Sequence, residues 1–108
     1  MDARARVQGG ICGLGTVILA SSDDGMNVRL HIESDCPKIQ ELAAELTEIN
    51  AFEQILRKPF IETSPALLAA KHRLHVSCLV PVVIVKAVEV AAGLALPATC
   101  EISLTRTD

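Results

Sequence analysis

Four cysteines and a pair of closely spaced histidines are the side chains best suited to chemistry here: Cys12, Cys36, Cys78, Cys100, His72 and His75. Three thiolates with one imidazole suit zinc or an iron–sulfur cluster, because soft thiolates select these metals. No Cys-x-x-Cys pair is present. Any such site therefore has to be assembled by the fold from distant positions. The run His72-x-x-His75-x-x-Cys78 puts the three residues on one face if the segment is helical. His75 is the better fourth ligand of the two histidines, being nearer the helix start. Lys71-His72-Arg73 reads as the solvated basic end of a helix. His31 falls on the polar face of a strand and receives no role.

The elements around these residues decide whether they can meet. Asp24-Gly25, between two apolar runs, predicts a hairpin of strands Ile11 to Ser21 and Asn27 to Ser34. Facing positions in a hairpin sum to a constant, about 49 for a two-residue loop here. That register sets Cys12 opposite position 37, beside Cys36. Cys36 also precedes Pro37 and opens a predicted helix with Ile39, Leu42, Ala43, Leu46 and Ile49 facing the core and Asn50 at its end. Ser34 or Asp35 can cap it. Cys78 opens a second long helix, started by Pro81 and stopped by Gly93. Helix N-termini favour thiolate over thiol. If both helices start at the same end of the sheet, Cys12, Cys36 and Cys78 converge there.

The segment Cys78 to Gly93 is apolar nearly all round, broken only by a stripe containing Lys86 and Glu89. Such a helix is surrounded by protein. A membrane span is rejected because it would hold both charges mid-bilayer, at roughly 2.5–3.5 kcal/mol for the lysine. A turn of helix at Ala51 to Leu56 and a helix from Pro65 to Arg73 lie between the two long helices. A last strand, Thr99 to Thr105, follows, with Cys100, Ile102 and Leu104 in phase, so that Cys100 reads as a small core residue at the far end of the sheet. The expected fold is α+β in the order β-β-α-α-α-β: a three-stranded, mainly antiparallel sheet with helices packed on one face. Residues 1–108 form one domain, of which 1–10 are a loose leader.

Composition removes several classes of function. A net charge of −3 offers no footprint for nucleic acid. The absence of Trp and Tyr removes stacking platforms for single strands. The run Gly9-Gly10-x-Cys12-Gly13-x-Gly15 lacks the Lys-Ser/Thr ending and the following helix of a phosphate loop. Arg4 and Arg6 before Ile11 to Ala20 imitate a secretion signal, but Gly13 and Gly15 interrupt it. The expected setting is the reducing cytoplasm, where cysteines are buried, metal-bound or reactive.

Three segments carry a resemblance: Ile11-Cys12-Gly13, Glu33-Ser34-Asp35-Cys36-Pro37, and Cys78-x-Val80-Pro81 continuing through Glu89-Val90-Ala91-Ala92-Gly93-Leu94-Ala95-Leu96-Pro97. With them the chain resembles a small family of uncharacterised prokaryotic proteins, a domain of unknown function. That resemblance implies no activity. The residues themselves favour a metal- or iron–sulfur-binding module, with zinc or a cluster held by Cys12, Cys36, Cys78 and His75. One rival is a homodimer formed through the apolar helix, with cysteines that merely fill space. The other is a thiol redox protein acting through Cys36 or Cys78.

Overall fold

A computed structural model describes residues 1–108. Strand alternation builds the sheet. In Asn27–Ser34 (β3), Val28, Leu30 and Ile32 are buried while Arg29, His31 and Glu33 are exposed, as the sequence predicts. Its partner Gly15–Ser21 (β2) buries Thr16, Ile18 and Ala20 on the same side. The pairs Ile18↔Ile32 and Ala20↔Leu30 shift the register by one position from the expected one. The reason is burial: the expected register would set the core residue Ile18 against exposed His31. The turn is accordingly longer than two residues. Asp24 Oδ1 accepts the amides of Met26 and Asn27 at 2.9 and 2.8 Å, and Ser22 Oγ accepts that of Gly25 at 2.9 Å. Those backbone donors lower the Asp24 carboxyl to about 2.

Two strands lie outside the expected pattern. Asp2–Gln8 (β1) is not a loose leader but an edge strand, paired antiparallel with β2 from Asp2↔Ser21 to Gln8↔Gly15. Its inward residues are Ala3, Ala5 and Val7, and alanines give a faint apolar signal. Pro37–Glu45 (α1) ends five residues before the expected Asn50. Leu46 leaves helical geometry, and Glu48–Asn50 (β4) pairs with β3, which buries Ile49 against Val28. The sheet is therefore four-stranded, in the order β1-β2-β3-β4. The expected C-terminal strand does not form. No backbone hydrogen bond reaches past Ala95, and residues 93–108 are exposed. Sequence-adjacent pairs complete the sheet, and Thr99 to Thr105 joins neither edge.

Helices cover one face. Ser64–Lys71 (α2) packs on Val80–Ala91 (α3), which lies across β1 and β2, while α1 lies across β3. Pro81 sits in the first turn of α3. Gly93, at φ 76°, ends it. The amides of Gly93 and Leu94 return to the carbonyls of Val90 and Glu89 at 3.0 and 2.8 Å, a Schellman closure. Ile84 and Val88 are fully buried together with Ile18, Val28 and Leu42. Each such side chain contributes about 1.5–3 kcal/mol. No helix is long and apolar enough to cross a membrane.

Candidate functional site

One end of the sheet carries a cavity of about 100 Å³. Its walls come from the β1–β2 connection, the start of α1 and the segment leading into α3. Cys12, Cys36, His75 and Cys78 all line it, with Lys38 and aliphatic side chains such as Val7 and Ile39. The volume is well below the roughly 300 Å³ of organic-ligand pockets.

Each ligand candidate is placed by a local device. Cys12 ends a single tight helical turn, Gly10–Cys12, at the tip of the β1–β2 loop, not on a strand as expected. The loop closes through Gly9 N–H to Leu14 O and Gly13 N–H to Gly10 O, both 3.0 Å. A Cβ at Gly9 would collide with the Cys12 sulfur, so glycine makes room for it. Cys36 is itself the N-cap of α1, where Ser34 or Asp35 was expected. Its amide donates to Ser34 Oγ at 3.1 Å, and its own thiol makes no capping bond. Asp35 instead holds the start of β2, accepting the Gly15 amide at 3.2 Å. Cys78 lies just before α3 and donates its amide to His75 O at 3.0 Å, so these two share one turn. Cys36 and Cys78 are half-buried; Cys12 and His75 are exposed. All four cysteines are free thiols. The cavity gathers the expected residues, but no three His, Cys, Asp or Glu side chains are placed to share one metal ion.

Cys100 is not a core residue. It is exposed on the C-terminal segment and lines a separate groove beside β1.

A clamp that the sequence did not reveal holds one wall of the cavity. His72 is not a solvated helix end: its side chain is 14% exposed, wedged between two carboxylates of α1. Nδ1 faces Glu41 Oε2 at 3.2 Å and Nε2 bonds Glu45 Oε2. Lys71 Nζ donates to Glu45 Oε1 at 2.5 Å. These bonds, that of Lys71 first, hold the Glu45 carboxyl below its usual range. Lys38 Nζ then donates to the carbonyl of Arg73 at 2.9 Å. Arg73 is the one non-glycine residue with positive φ, at 54°. The clamp thus fixes the chain immediately before Leu74 to Cys78. Its signal in the sequence is the pair Glu41 and Glu45, one helical turn apart, which nothing local connects to His72.

Fold and cavity together define a small α+β protein with a thiol-lined pocket at one end of an antiparallel sheet. The chain belongs to a family of unknown function, DUF6951, whose model matches residues 3–104. That span includes β1 from Ala3 onward, every wall of the cavity and most of the C-terminal segment. No curated protein and no solved structure matches the chain.

Proposed function

We propose that the protein is a metal-binding module that holds zinc or an iron–sulfur cluster among Cys12, Cys36, Cys78 and His75. One observation carries the reading: three of the four cysteines, brought from separate parts of the chain, line a single small cavity together with a histidine. The starts of α1 and α3 both border this cavity, so Cys36 and Cys78 are presented to it from two helix termini. A shared zinc would be held through thiolate bonds of about 2.3 Å. Free thiols suit a reducing compartment such as the cytoplasm.

Anaerobic purification with elemental analysis and an absorption spectrum tests this. Stoichiometric zinc, or iron with visible absorption, supports it, provided that Cys36→Ser with Cys78→Ser abolishes loading. Protein that stays folded but takes up neither zinc nor iron under reducing conditions rejects it.

A further inference from the structure

We propose that the C-terminal segment Thr99 to Thr105 is an exchange arm that adds a strand to the free edge of β1 in a second copy of the chain, each copy receiving the other's arm. The sheet ends at β1, whose seven residues pair with β2 on one side only. An unpaired edge of this length is a template for another strand. The arm has the matching pattern. Cys100, Ile102 and Leu104 alternate with Thr99, Glu101, Ser103 and Thr105. Yet Ile102 is 66% and Leu104 90% exposed, and the arm makes no backbone hydrogen bond. The family match extends through these residues to position 104, so the arm is part of the family's domain.

A receiving surface lies beside the edge. A groove of about 420 Å³ runs between β1 and α3, with Ala3, Ala5, Val83, Ala87 and Val90 offering apolar lining beside Lys86; the chain's own Pro97 to Cys100 also line it and swing out when the arms exchange. An added strand with its apolar side towards α3 turns Glu101 towards the face that carries Arg4 and Arg6, giving opposite charges across the pair.

Direction selects the second copy over the chain's own arm. Leu94 to Pro97 lie beside Met1 and Asp2, and Pro97 to Cys100 beside Asp2 to Arg6. The chain's own arm therefore travels the same way as β1 and would pair parallel. A symmetry-related arm is free to enter antiparallel, the more stable ladder. Exchange of identical segments is a low-cost route to a closed dimer.

The test is sedimentation velocity of the full chain under reducing conditions, which prevent exposed cysteines from cross-linking copies. The double variant Ile102→Asp with Leu104→Asp is run beside it. Both positions are exposed in the single chain, so the variant keeps its fold, checked by circular dichroism. The expected result is a wild-type dimer whose dissociation constant rises at least about 100-fold in the variant. The alternate amides of residues 2–8 that do not face β2, and the alternate amides of 99–105 that face β1, should be protected from exchange in the dimer and lose that protection in the variant. A wild-type monomer up to high micromolar concentration overturns the proposal, including a monomer with a protected arm, which would mean closure on its own edge. A dimer that the variant leaves intact also overturns it, since the contact would then lie elsewhere, such as on α3.

Discussion

Gly9→Ala separates the position of one sulfur from the stability of the fold. Gly9 has φ −76° and ψ 0°, a backbone geometry that alanine adopts without strain. Substitution at such a site stabilises by about 0.4–1 kcal/mol, by restricting the unfolded chain. Against this, the new Cβ lands on the Cys12 sulfur and 3.2 Å from the Leu14 carbonyl oxygen. That carbonyl is held by the Gly9 amide, so the backbone resists and the sulfur rotates away. The two effects leave net stability within about 1 kcal/mol of wild type, or within roughly 4–8 °C in Tm. If the cavity holds zinc as proposed, its affinity, measured by competition with a chromophoric chelator, is expected to fall about 10–100-fold, the scale of losing a residue that orients a ligand. Gly10→Ala gives the opposite pattern. Nothing lies near its Cβ, but φ is +74°, so stability drops by about 1–2 kcal/mol with less change in affinity. Equal zinc affinity in wild type and Gly9→Ala would remove Cys12 from the site.

Acid titration and the clamp provide two further checks. The Asp24 carboxyl is lowered from 3.8 to about 2, so its contribution is present above the unfolded value and is lost as pH falls through the folded one. Asp24→Ala should lower Tm at neutral pH and flatten the Tm profile between about pH 4 and pH 2; an unchanged slope would refute the assignment. Glu45 is shifted the same way, mainly by Lys71 and then by His72, so its contribution likewise fades as pH drops below the ordinary carboxylate range. Glu45→Gln should speed hydrogen exchange of residues 72–78 while leaving β2 and β3 unchanged. Uniform acceleration across the domain would show that the clamp is not local.

Legibility in the sequence followed the strength of each local signal. The alternation of β3 and the Pro81 and Gly93 boundaries of α3 leave few alternatives, and both elements lie where expected. Cys12, Cys36 and Cys78 line one cavity, but Cys12 reaches it from the β1–β2 loop and not from the predicted hairpin strand, and no three of the side chains are placed to share an ion. What escaped depended on tertiary context. In β1 the inward residues are mostly alanine, so pairing with β2 rather than pattern makes the strand. Ile49 fits a helical stripe as well as a strand, and the free edge of β3 decided between them. The alternation of Thr99 to Thr105 is real, but a single chain gives it no partner. His72 meets Glu41 and Glu45 only because α2 folds back against α1.

Neighbours in the sheet are also neighbours along the sequence, so its pairings close short loops at small entropic cost. The cavity is different, since its walls join Cys12 to Cys78 across more than half of the chain. A polypeptide cut off before Leu74 lacks one wall of the pocket and also the helix that covers β1 and β2, so pocket and core are completed together. Whatever occupies that space grips both halves of the molecule at once, and by mass action its binding energy becomes a reward for finishing the fold.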